Sequence, residues 1–195
     1  MRKLRRIVTS LALVAVSTAA IAGSGYQYLN VAEITQEHSN WCWAATSLDM
    51  LEWYGMNSSQ CDIVDWAFGI NDACGNSNFN WNSPINSSNA LYGQSGSIQD
   101  ILSSAGLGTQ VYTSALNWNT IVADVNASSP FIIRFGWYGG GGHFLVGYGY
   151  YDLQGTQYVG YMNPLPGEGY TWSTYSWTAY APYDHTWTDS LRTWQ

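Results

Sequence analysis

A chain of 195 residues carrying six Lys and Arg against thirteen Asp and Glu, for a net charge of −7, has room for a full apolar core and is too acidic to pair with polyanions. Phosphate backbones and anionic headgroups demand clustered cations, so nucleic acid and anionic membrane surfaces are excluded as partners. Eleven Trp and fifteen Tyr read mainly as amphipathic rings completing a core poor in Leu and Ile, with platforms for sugars or peptides as the alternative.

The chain opens as an export signal. Arg2, Lys3, Arg5 and Arg6 precede an apolar run over residues 7–21, and Ala20, Ile21 and Ala22 form a small-residue cleavage site. The run is interrupted by Thr9, Ser10, Ser17 and Thr18 and is shorter than the ~20 residues of a membrane span. Cleavage near Ala22 would deliver a protein starting at Gly23 to the periplasm or the cell exterior. Only Arg134 and Arg192 then remain as cations, and the mature charge is 2 − 13 = −11, a surface suited to solubility. Residues 23–195 show no linker, repeat or charge block and are read as one domain, expected to be monomeric.

Helical signals dominate the first half. From Asn40, Ala44, Ala45, Leu48 and Leu51 recur at helical spacing up to Gly55, with Ser39 or Asn40 as the expected cap. Ser59 is placed to cap a helix containing Cys61, and Ser97 one that ends at Gly106; a fourth short helix is expected over residues 119–127. After Pro130 the residues become β-branched and aromatic, predicting strands over 131–137, 143–151, 157–163, 170–180 and 186–194. Helices first and strands second predict an α+β domain, a helical layer on a largely antiparallel sheet.

Three cysteines in an exported chain leave one unmatched. Cys61 and Cys74 flank a short stretch and are expected to form a disulfide worth roughly 3 kcal/mol by chain entropy. Cys42 remains, in the first turn of the first helix, where exposed amide groups lower a thiol pKa. Gln36, six residues upstream, can bring a carboxamide donor beside the sulfur, where attack on an acyl group places negative charge on oxygen. Of three histidines, His38 precedes the helix and His185 lies in an acidic terminal stretch, where it reads as a surface residue. His143 follows Gly139, Gly140, Gly141 and Gly142 and opens a strand, which fixes the ring and leaves room for substrate. Asn163 ends the next strand, beyond a hairpin turn over residues 152–156, and can hold the tautomer of His143. Cys42 is thus the expected nucleophile, His143 its base, Asn163 the orienting group and Gln36 an oxyanion donor, with no metal or cofactor required.

These residues resemble the papain-like cysteine peptidases, in particular the compact bacterial and effector members with a Gln followed by WCWAA. The likeness is carried by QEHSNWCWAA around Gln36 and Cys42, QCDIV at 60–64, GGGGHFLVGYG around His143 and YMNP around Asn163. It implies a helical lobe bearing the nucleophile, a β lobe bearing His and Asn, and a peptide-binding cleft between them. The chain departs from the plant and lysosomal members in lacking a CGSCW-like sequence, a long propeptide, and a tryptophan directly after the orienting residue, for which Trp172 is a possible substitute. Two other activities stay open: another acyl-transfer chemistry on the same scaffold (amidase, deamidase or transglutaminase), or a non-catalytic, aromatic-rich cell-wall binding module.

Overall fold

The computed structural model describes residues 25–76 and 82–195; the export signal read at 1–22 lies outside the described residues. Strand β1 (Tyr26–Tyr28) leads to helix α1 (Cys42–Trp53), in which every residue from Cys42 to Leu51 is buried. Helix α2 (Gln60–Phe68) starts at Ser59, whose hydroxyl accepts the Asp62 N–H, and closes at Gly69 in the left-handed region. Helix α3 (Ile98–Ser104) is capped in the same way by Ser97, followed by strand β2 (Gly108–Tyr112) and helix α4 (Trp118–Asn126), capped by Asn117. The three caps satisfy amide groups that helix geometry leaves without a partner, and two of them, Ser59 and Ser97, were legible from sequence.

Helix α1 differs from its expected start. Its N-cap is Trp41 and no side chain caps it. Asn40 instead bonds to Asn86 twice, main chain to Oδ1 at 3.1 Å and Nδ2 to the carbonyl at 2.8 Å, while Ser39 accepts from Asn86 Nδ2 at 2.8 Å. Both polar residues fasten the approach to α1 onto the 3-10 turn Pro84–Asn86, which leaves the first amide groups of the helix free of a side-chain cap.

The remaining strands are β3 (Phe131–Trp137), β4 (Gly142–Leu153), β5 (Thr156–Asn163), β6 (Gly169–Thr174), β7 (Tyr180–Ala181) and β8 (His185–Trp194). All pair antiparallel in the order β2-β8-β3-β4-β5-β6, with β1 added to β4 and β7 to β8. The expected order of helices then strands therefore holds only in outline, because β1 and β2 precede Pro130. Residues 170–180 are also not one strand: Thr174 accepts the Trp177 N–H and starts a short helix α5 (Tyr175–Ala179), local capping overriding β propensity.

Consecutive residues of β3 and β4, Phe131 to Ile133 and Phe144 to Val146, are buried, so the middle of the sheet is covered on both faces. Helix α1 packs on β4, α2 and α3, and α4 packs on β4 and β1. This arrangement sets the N-terminus of α1 against the start of β4. Trp41, Trp43 and Trp187 are buried, whereas Tyr26, Tyr28, Tyr170 and Trp172 are largely exposed around a small cleft backed by Tyr148. Gly149 and Gly160 lie beneath the Trp172 ring, where a Cβ would come within 2.7 and 2.9 Å of it.

Candidate active site

Cys42 is buried and is the free cysteine among the described residues; Cys61 and Cys74 form the expected disulfide, with an S–S distance of 2.06 Å. The sulfur faces three backbone N–H groups, those of Phe144, Trp43 and Cys42 itself. Phe144 follows His143, so the first residues of β4 border the Cys42 sulfur. Cys42 also lines a cleft of about 280 Å³ with Asn40, Arg134, Gly141, Gly142 and Phe144.

The β4–β5 hairpin turns at Leu153 and Thr156 and brings the far ends of the two strands together. There His143 Nε2 lies 2.7 Å from Asn163 Oδ1, which also accepts the Leu165 N–H at 3.1 Å. A main-chain N–H can only donate, so the atom it meets is the amide oxygen. His143 Nε2 must then carry a proton, and the neutral ring keeps its lone pair on Nδ1. The ring is buried, and Trp137 stacks near it with centroids 5.9 Å apart at 16°. Trp172, the proposed substitute shield, covers Gly149 and Gly160 instead. Trp137 was missed because it precedes His143 and reaches it only through β3–β4 pairing, where Phe135 lies opposite His143.

Burial dominates both titrations. It pushes the Cys42 thiol up from its ordinary range, against the opposing pull of the three N–H groups and of the Arg134 charge. It pushes the His143 imidazole down, partly countered by Asn163 and by the charge of Glu168. Both shifts favour the uncharged thiol and ring in the free protein. The helix start acts in the expected direction, through the Trp43 and Cys42 N–H groups, but desolvation is larger.

Gln36 is buried, and its N–H donates to the Pro164 carbonyl at 2.8 Å, next to Asn163. Its Nε2 donates to the carbonyls of His38 at 2.8 Å and Ser39 at 2.9 Å, while Oε1 is buried without a partner. The amide thus braces the turn before Cys42. His185 corrects the surface reading: it is buried, stacked on Phe135 at 3.7 Å, and held by Asp184 Oδ2 and the Thr178 carbonyl, each at 3.2 Å. His38 sets its ring edge-on to Trp41 at 4.3 Å. Among the described residues Cys61, Asp62 and Cys74 have the spacing of metal ligands, but both sulfurs are committed to the disulfide and one carboxylate cannot hold an ion.

The sequence profile of the Peptidase_C39 like family matches residues 28–190. Among solved structures, the fold is similar to the peptidase domain of Streptococcus ComA, a bi-functional ABC transporter involved in a quorum sensing pathway. The TM-score is 0.54 at 16% identity, covering 82% of this chain and 95% of that one. No curated protein matches. With the profile spanning most of the chain and the helical layer and antiparallel sheet in common, the protein belongs to the Peptidase_C39 like family and has the α+β fold of a papain-like cysteine peptidase.

Proposed function

We propose that the protein is an exported peptidase that cleaves peptide or isopeptide bonds through an acyl-enzyme on Cys42. The observation that carries the reading is the His143–Asn163 bond of 2.7 Å, on a strand whose next N–H reaches the Cys42 sulfur. As the sulfur attacks the carbonyl carbon, the lone pair on His143 Nδ1 takes the thiol proton, and Asn163 Oδ1 steadies the resulting imidazolium. The carbonyl oxygen becomes an oxyanion, stabilised by the Cys42 N–H; Gln36 Nε2 adds a second donor when it releases one of its two carbonyls. The imidazolium then protonates the departing amine, the C–N bond breaks, and the thioester remains. His143 draws a proton from water, whose oxygen attacks the thioester and frees the acid and the thiol. The Cys61–Cys74 disulfide supports a destination outside the cytoplasm.

The test is incubation of the exported protein with a peptide mixture, with and without added amine, read by mass spectrometry. New termini are expected, falling by about 10³-fold or more in Cys42→Ala and His143→Ala. Amine-linked products in place of free acids would reassign the protein to acyl transfer, and unchanged cleavage by Cys42→Ala would reject the nucleophile.

A further inference from the structure

The described residues contain two cations, and the fold treats them differently. Arg192 engages all three of its nitrogens: Nε donates to Asp124 Oδ2 at 2.7 Å, Nη2 to Asp124 Oδ1, and Nη1 to the Tyr112 hydroxyl at 3.2 Å. This is a structural arginine tying β8 to α4. Arg134 uses one nitrogen only. Its Nη1 donates to Thr188 Oγ1 at 2.7 Å and, more weakly, to Asp189 Oδ2 at 3.4 Å, while Asp189 also accepts from the Tyr92 hydroxyl at 3.3 Å. Nε and Nη2 of Arg134 make no hydrogen bond among the described residues.

The position of those unused donors gives them a purpose. Arg134 lies opposite Phe144 in the β3–β4 ladder, its side chain is 31% exposed, and it lines the cleft that holds Cys42. Its charge is felt at the sulfur. The guanidinium lies over Gly142, where a Cβ would stand 3.0 Å from Nη2 and 3.1 Å from Cζ, although the Phe135 carbonyl at 2.7 Å is the closer obstacle. A guanidinium that served only to join β3 to β8 would need no place in the cleft beside Cys42.

We propose that Arg134 is a specificity-determining residue that receives a carboxylate of the substrate, from an acidic side chain or a free α-carboxyl group, in the cleft beside Cys42. The planar Nε–Nη2 edge can give a carboxylate two parallel hydrogen bonds, with Nη1 anchored on Thr188 to fix the plane. The inference rests on Cys42 being the reacting group. On a molecule of net negative charge, selection of an acidic group has to be local, and Arg134 is the cation that has two unengaged nitrogens and lines the cleft with Cys42.

The test measures alkylation, in which the Cys42 sulfur displaces iodide and forms a C–S bond, so it needs no turnover. Three reagents are compared, each rate normalised to glutathione: N-iodoacetyl-glutamate α-amide, with a side-chain carboxylate; N-iodoacetyl-glutamine α-amide, neutral; and N-iodoacetyl-glutamine with a free α-carboxylate. Wild type is expected to favour at least one acid over the neutral reagent by about fivefold or more, the acid that gains identifying the source. Arg134→Gln should bring that preference to about unity, with Arg134→Lys keeping part of it. Should Arg134→Gln not fold, the wild-type comparison and the lysine variant decide alone. Equal normalised rates for all three reagents in wild type would overturn the inference. A carboxylate preference without any peptide cleavage would leave Arg134 in place and reject the peptidase reading; cleavage without the preference would do the reverse.

Discussion

Cys42 and His143 are each pulled two ways, and the balance has a measurable sign. Burial raises the thiol and lowers the imidazole, so the thiolate fraction at neutral pH should lie below that of an ordinary thiol. Iodoacetamide labelling of the native protein is therefore expected only at Cys42, slower than glutathione at neutral pH and still climbing above pH 9. A plateau at or below neutrality would show instead that a thiolate-imidazolium pair exists before substrate arrives. Asn163→Ala removes the acceptor of His143 Nε2–H and of the Leu165 N–H, and kcat/KM should fall by roughly 10- to 100-fold with Cys42 labelling retained. At this scale much was legible. Cys42, His143 and Asn163 stand out because each sits at the end of a strongly patterned element. The orientation of Gln36 was not legible, since it depends on two main-chain carbonyls in a turn, nor was the sign of the thiol shift, since burial comes from the sheet packed across α1.

Among the elements, the loop closed by Cys61 and Cys74 carries a separable prediction. The two cysteines are 13 residues apart, one on α2 and one beyond it. Replacing both by Ser should lower stability in urea by roughly 3 kcal/mol, with Cys42 labelling of the folded protein unchanged. A loss of Cys42 reactivity in step with the disulfide would show instead that α2 sets the geometry of the nucleophile. Elements with a strong local signal were readable: the hairpin β4–β5, and the helices α2 and α3, whose caps are serines just ahead of an apolar run. Helix α5 was not, because YSWTA has strand propensity and its helix depends on the single cap Thr174. β1 and β2 were short, and their strand character comes from pairing with β4 and β8.

On the scale of the whole molecule, Asp49 links the helical layer to the segment after β1. It is fully buried in α1, its Oδ1 accepts the Ala32 N–H at 3.1 Å, and its Oδ2 has no partner. Burial, with a smaller contribution from Glu52, raises its carboxyl from 3.8 to about 8. The folded protein keeps this proton while the unfolded chain loses it, so stability falls as pH rises across that interval and levels off above it. Asn retains an acceptor for Ala32 and cannot ionise. Asp49→Asn should thus stabilise the protein by at most about 4 kcal/mol at pH 7 and by little near pH 4. Urea melts showing the same difference at both pH values would contradict this. The mixed helix and sheet class was readable from the change in residue pattern near Pro130, but which acid would be sealed inside was not. The sealed state of Cys42 has a consequence for the lifetime of the protein. Outside the cytoplasm, where a disulfide such as Cys61–Cys74 persists, peroxides can oxidise an exposed thiolate to sulfenic acid and beyond. If Cys42 is the nucleophile of an exported peptidase, as proposed, a thiol that keeps its proton while buried would react more slowly with such oxidants than an exposed thiolate and so last longer in that medium.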